Sequence, residues 1–325
     1  MRVAAAQLEV TLADVPANLA VCESIARDAA RDGAEAIALP EFFTTGAVFA
    51  PELAGAALAP DGAATEMLLR VAREEGVLLG GSFLCRDPDG EVRNAFFLAG
   101  PDGLLGRHDK DLPTMWENAL YVGGDDDDGV IEAGEQTVGA AVCWEFMRSG
   151  TARRLRGRVD LVLGGSNWWT FPSWLPGPYW RRADAANNAL AARAPAVFGR
   201  YVGAPVVHAA IAGKFECPTP EMPAITYRGQ FQGGAQIADA DGRILARREG
   251  DEGSGYVIAE VEARRSEPRE SVPNRFWLHR RGALSAVAWN TQRILGRRWY
   301  ERHVRGRPPL ELEQPHVLVS TERTG

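Results

Sequence analysis

Three residues of this chain have the types and positions of a nucleophilic unit. Cys143 follows the apolar run Val138–Val142 and precedes Trp144 and Glu145, so it falls where a strand ends and the chain turns. In α/β sheets ligands gather at the carboxyl ends of strands, and a thiol there is placed to react; a cysteine alone is more commonly a small buried hydrophobe. Glu41 follows Pro40 at the end of a second apolar run, Ala36–Leu39. A carboxylate in a partly desolvated strand-end pocket acquires the raised pKa of a general base. Lys110 stands between Asp109 and Asp111 after the strand-like stretch Leu104–Arg107. Together the three supply a thiol, a base to take its proton, and a cation to stabilise the charge that develops when a carbonyl or nitrile carbon is attacked.

Composition sharpens the case for the lysine. Of 36 basic residues, 34 are arginine and two, Lys110 and Lys214, are lysine. Arginine evidently serves wherever a generic cation is needed. A retained lysine points to chemistry, because a compact ammonium can shift its pKa and exchange a proton, which guanidinium cannot.

The order and surroundings of these residues resemble the carbon-nitrogen hydrolases of the nitrilase superfamily. Leu39-Pro40-Glu41 is similar to that family's glutamate motif, Lys110-Asp111-Leu112-Pro113-Thr114 to its lysine motif, and Cys143-Trp144-Glu145 to its cysteine motif. The resemblance spans about residues 1–265, including Gly123-Gly124-Asp125 and Gly233–Ile237. It implies a Glu41-Lys110-Cys143 triad, with Glu117 as an additional glutamate that positions substrate or water. Trp144 is implied as an oxyanion donor through its backbone N–H, with Asn167 and Trp168 as substrate-binding residues. The chain departs from nitrilases in reading Phe146-Met147-Arg148-Ser149 where they carry an asparagine and then a proline, and in having Ala235 in place of a serine. The activity implied is cysteine-dependent hydrolysis of a nitrile to acid and ammonia through a thioester. An amidase is the alternative, and a non-enzymatic scaffold binding a partner or membrane through its tail is a third reading. No cofactor and no metal are implied.

Elements must hold these residues at strand ends. Arg2–Leu8 reads as a strand, Ala17–Arg31 as a helix and Ala36–Leu39 as a buried strand, a βαβ pattern. Strands are expected at Val77–Cys85, Ala95–Ala99, Val138–Val142, Asp160–Leu163, Ala196–Tyr201, Val206–Ile211, Gly234–Ala238, Arg243–Ala246 and Tyr256–Glu260. Helices are expected around Thr65–Glu74 and Trp180–Ala192. Residues 1–265 read as one α/β domain, and the family resemblance implies a four-layer αββα sandwich with two mixed β-sheets. The aromatic cluster Trp168, Trp169, Phe171, Trp174, Tyr179 and Trp180, broken by prolines, reads as a loop that walls a substrate pocket.

Residues 266–325 read as a basic C-terminal extension and oligomerisation tail. Residues 275–307 hold nine arginines and one glutamate, against a net charge of −7 for the whole chain. Leu284, Val287, Ala288, Thr291, Ile294, Leu295 and Trp299 recur there at helical spacing, an apolar face suited to a neighbouring subunit or, second, to a membrane surface.

The acidic balance argues against a nucleic-acid partner. Cys22, Cys85, Cys143 and Cys217 are too widely and irregularly spaced for zinc, and suggest no disulfide framework. No signal peptide or membrane span is evident, so the expected compartment is the cytoplasm and the expected assembly a homodimer or larger homo-oligomer. Asp125–Asp128 matches some calcium-loop positions but lacks a first ligand and flanking amphipathic helices, so a calcium site is not expected.

Overall fold

The computed structural model describes residues 1–124, 127–219, 222–279 and 283–312, with the side chains of 283–288 excluded. The first half of the chain forms β1 (Arg2–Glu9), α1 (Val15–Arg31), β2 (Ala36–Glu41), α2 (Ala63–Glu75), β3 (Leu78–Arg86), β4 (Val92–Gly100) and β5 (Gly103–Asp109). The second forms β6 (Val130–Ala133), β7 (Gln136–Val142), α3 (Ser149–Leu155), β8 (Leu161–Ser166), α4 (Gly177–Val202), β9 (Val206–Thr219), β10 (Met222–Gln232), β11 (Gln236–Ala238), β12 (Ile244–Arg247) and β13 (Gly255–Glu260). A last helix, α5 (Ala283–His303), follows.

Two mixed sheets are each built around three parallel strands. In one, β1, β2 and β3 are parallel, with β13 antiparallel on β1 and β4 and β5 antiparallel beyond β3. In the other, β9, β8 and β7 are parallel, flanked by antiparallel β11–β12 and β6. The sheets join where Gln7–Glu9 of β1 pairs in parallel with Ala210–Ala212 of β9.

Alternation along the strands creates the layers. Val3, Ala5, Ala36 and Ala38 face Val138, Ala140, Leu161, Leu163, Val207 and Ala209 in one cluster between the sheets. Their neighbours Ala4, Ala6, Leu8, Ile37 and Leu39 face outward onto Leu19, Ile25 and Leu68 of α1 and α2. On the opposite outside, Ala141, Val162 and Val206 meet Leu155 of α3 and Phe198 and Val202 of α4. A period of two on strands buried on both faces therefore produces three apolar interlayers and an αββα sandwich.

One expected strand is not formed. Ala196–Tyr201 belongs to α4, which continues through Pro195. The buried residues Ala194, Phe198 and Val202 are four apart, so helical spacing governs a stretch whose composition looked strand-like. β10 was not expected, although Ile225, Tyr227 and Phe231 alternate with Thr226, Arg228, Gln230 and Gln232 along it; most of its residues are exposed. All four cysteines are free and buried. No helix among the described residues is long and apolar enough to cross a membrane.

The segment after β13 runs as a strap over this framework. Ser266 N–H donates to Gly203 O, Ser149 N–H to Phe276 O, Leu278 N–H to Met147 O, and Leu310 N–H to Ala57 O. The apolar face expected for the tail is only partly the one used. Within the described part of α5, Gly296 and Tyr300 are buried against this same chain, whereas Ile294 and Leu295 are exposed; Leu284, Val287 and Ala288 lie among the side chains not described.

Candidate active site

The ends of four strands converge on one point. β2 ends at Glu41, β5 is followed at once by Lys110, β7 by Cys143, and β8 by Asn167 and Trp168. Gly165 of β8 permits the approach: a Cβ there would lie 2.7 Å from Pro40 Cα and 2.9 Å from Glu41 N. Three of the four non-glycine residues with positive φ among those described lie here, Phe42 after Glu41, Met115 in the turn that carries Glu117, and Cys143 itself at φ 55°. Backbone strain concentrated this way is characteristic of sites whose side chains are aimed by the fold.

Lys110, Glu41, Glu117 and Cys143 are all completely buried. The Lys110 ammonium donates to Glu41 Oε1 at 2.7 Å and to Glu117 Oε2 at 2.7 Å. Ligand atoms of Glu41, Glu117 and Cys143 all lie within 4.8 Å of one another. The same trio could suit a metal ion, but the lysine already supplies the positive charge between the carboxylates.

Glu41 is held from two further sides. Its Oε1 also accepts from Asn94 Nδ2 at 2.9 Å, and its Oε2 from the Asn167 backbone N–H at 2.8 Å. Asn167 itself is anchored by Nδ2 donating to Ala47 O. Glu117 Oε2 accepts from the Thr114 N–H at 2.9 Å and the Tyr121 hydroxyl at 2.5 Å, whereas its buried Oε1 has no hydrogen-bond partner among the described residues.

Burial raises the Glu41 carboxyl above its ordinary pKa despite Lys110. Burial and the adjacent Glu41 push the Cys143 thiol well above its usual value. Lys110 is driven down by burial but held well above the ordinary lysine value by Glu117 and Glu41, so it remains an ammonium. The site therefore sets a thiol held in its neutral form beside a carboxyl group of raised proton affinity.

Trp144 and Trp168 are both nearly buried, with ring centroids 5.8 Å apart. Trp168 Nε1 donates to Asn187 Oδ1 of α4 at 3.2 Å, so this ring is oriented from a helix outside the strand ends. Of the wider aromatic cluster, Trp169 packs at a tilt against Trp116, with centroids 4.4 Å apart, but Trp174 and Tyr179 are exposed.

Sequence reasoning passed over Asn94, Tyr121, His108 and the two tail tryptophans Trp277 and Trp289. Asn94 and Tyr121 carry no local motif; their roles come from strand pairing and from the turn after Thr114. His108 donates from Nε2 to Glu145 Oε2 at 2.9 Å and bonds through Nδ1 to Asp127. Asp127 is thereby used in a hydrogen-bonded pair, and Asp128 pairs with Arg158; Asp125 and Asp126 of the discounted calcium loop lie outside the described residues.

The sequence profile of the carbon-nitrogen hydrolase family matches residues 2–269. A nitrilase of Pyrococcus abyssi (strain GE5 / Orsay) is 29% identical over 186 residues, covering 56% of this chain and 68% of that protein. The omega-amidase NIT2 of Xenopus tropicalis is 31% identical over 140 residues, covering 40% of this chain and 50% of that one, so this match spans only half the relative's length. Among solved structures, a carbon-nitrogen hydrolase from Helicobacter pylori G27 superposes with a TM-score of 0.65 at 16% identity, covering 81% of this chain and 90% of that one. A mutant of the amidase from Nesterenkonia sp. AN1, carrying acrylamide added to its active-site cysteine, gives 0.60 at 19% identity, covering 81% and 94%. These superpositions show a shared fold. With the profile extending from β1 past β13, over more than half of the sequence, the chain belongs to the carbon-nitrogen hydrolase family.

Proposed function

We propose that the protein hydrolyses a small primary amide with an apolar acyl group to the carboxylic acid and ammonia. The observation that carries this reading is the Lys110 ammonium bound to both Glu41 and Glu117, with the Cys143 sulfur beside both carboxylates. Glu41 takes the thiol proton as sulfur attacks the carbonyl carbon, and the C=O electron pair moves to oxygen. The remaining Lys110 N–H and the Trp144 backbone N–H stabilise that oxyanion. Glu41 then passes the proton to nitrogen, the C–N bond breaks, ammonia leaves and a thioester remains. Water, deprotonated by Glu41 with Glu117 alongside, attacks the thioester; the C–S bond breaks and the thiol regains its proton. These steps draw on the protein's own residues and water.

Glu117 Oε1 favours the amide over the nitrile. This unpartnered buried acceptor suits the N–H groups of an amide, whereas a nitrile nitrogen offers no proton. The nitrile reading is supported by the lysine-to-Glu117 motif spacing and by the nitrilase relative. Ammonia release from matched amide and nitrile pairs, such as butyramide and butyronitrile, separates the two. Efficient amide turnover is expected; nitrile turnover without amide turnover would assign the site to nitrile chemistry.

A further inference from the structure

We infer that Trp277 and Trp289, carried by the C-terminal strap, set the upper size of the acyl group by closing the Trp144 side of the site from within the same chain. This rests on Cys143 being the nucleophile. The Trp144 ring, next to Cys143, has the Trp277 centroid 5.5 Å away and the Trp289 centroid 5.3 Å away, and these two rings are 5.8 Å apart. Both tail rings pack on the cluster that contains Cys143, Trp144, Met147 and Trp168.

The strap is fastened to the turns that carry the reacting groups. Backbone hydrogen bonds join Phe276 O to Ser149 and Met147 O to Leu278, directly after the Cys143–Met147 turn. The Arg148 guanidinium, paired with Asp111, lies over the rings of Phe276 and Trp289 at 5.6 and 5.9 Å. Farther along α5, a Cβ on Gly296 would lie 2.9–3.0 Å from the backbone of Asn118 and Ala119, in the turn that carries Glu117. Phe276, Trp277 and Trp289 all lie beyond residue 269, where the family match ends, so this wall lies outside the matched region. Tryptophan is suited to the purpose: it is a large, stiff apolar ring, and removing one from a wall leaves space for a ring-sized group.

Trp277 and Trp289 act through Trp144 and are positioning residues. Their test is the rate of Cys143 alkylation by iodoacetamide and by its bulky 2-phenyl analogue, which carries the ring on the acyl carbon, followed by intact mass, together with kcat and KM for acetamide, butyramide and phenylacetamide. In Trp289→Ala the bulky-to-small labelling ratio should rise at least about tenfold, and the KM for phenylacetamide should fall relative to that for acetamide. Trp289→Phe, which keeps a ring in place, should stay near the wild-type ratio and guards against a folding defect in the alanine variant. An unchanged ratio in both Trp289→Ala and Trp277→Ala would overturn the inference. Labelling does not depend on turnover: wild-type protein that alkylates at Cys143 but releases no ammonia would defeat the hydrolytic reading while still reporting on the wall.

Discussion

His108 Nε2 lies 2.9 Å from Glu145 Oε2, and this buried pair ties the strand that delivers Lys110 to the turn that delivers Cys143. Glu145 also accepts from the Val142 N–H at 2.8 Å and from the Asp111 N–H at 3.1 Å, one residue before Cys143 and one after Lys110. A single carboxylate thus fixes the spacing between Cys143 and Lys110.

That pair gives stability a pH dependence. Burial lowers the His108 pKa, but Glu145 and Asp127 more than offset it and raise it to about 10 from the ordinary 6.5. A group whose folded pKa is raised stabilises fully below its unfolded pKa and loses that contribution as pH rises through the folded one. The melting-temperature advantage of wild type over His108→Gln should therefore be largest near pH 6 and shrink as pH approaches about 10. A gap that stays constant across this range would show His108 to be neutral in the fold.

Cys143→Ala should leave no measurable turnover, and Glu41→Gln should lower kcat/KM by about 10²–10⁴, the usual contribution of a general acid–base. Both proteins should remain folded by circular dichroism, because each change is close to isosteric. Retained turnover in Cys143→Ala would remove the thiol from the mechanism.

Lys110→Arg should be nearly as damaging as Lys110→Ala. The ammonium sits at 2.7 Å from two carboxylates in a fully buried space, and a planar fork with five N–H groups is too wide for it. Steady-state kinetics decide the matter: near-normal rates in the arginine variant would reduce Lys110 to a generic charge.

The convergence of Glu41, Lys110 and Cys143 was legible in the sequence because Glu41 and Cys143 close short apolar runs and Lys110 comes soon after a strand-like stretch, and strands of an α/β sheet gather such ends at one edge. The layers were implied by the family resemblance; the unbroken apolar run Val3–Ala6 marks a strand buried on both faces, but which residue faces which layer emerged only in the fold. What escaped depends on pairings distant in sequence. Asn94 reaches Glu41 across 53 positions because β3 intervenes between their strands, and Arg148 meets Trp289 only once the strap is laid down. The tail helix was legible as a helix, but which face it buries was not, because Ile294 and Leu295 are more apolar than the Gly296 that makes the contact. Glycine is chosen there by distance between backbones, which hydropathy does not record.

Gly296→Ala distinguishes the strap's role within the chain from the expected role in joining subunits. In an exposed helix interior this change normally stabilises by about 0.4–1 kcal/mol, by restricting the unfolded chain. At Gly296 the added methyl would press on backbone atoms of Asn118 and Ala119 at 2.9–3.0 Å, and backbone cannot swing aside as a flexible side chain can. Overpacking of this kind costs about 1–3 kcal/mol, so the net effect should be a loss of stability. Gly150, in α3, is the matched control: nothing lies within 4 Å of its added Cβ, so Gly150→Ala should be neutral or stabilising. Because the Asn118–Ala119 turn also carries Glu117, lifting α5 should raise KM for the amide more than it lowers kcat. Sedimentation should give an unchanged mass for Gly296→Ala; a smaller assembly with unaltered KM would place the helix in a contact between subunits instead.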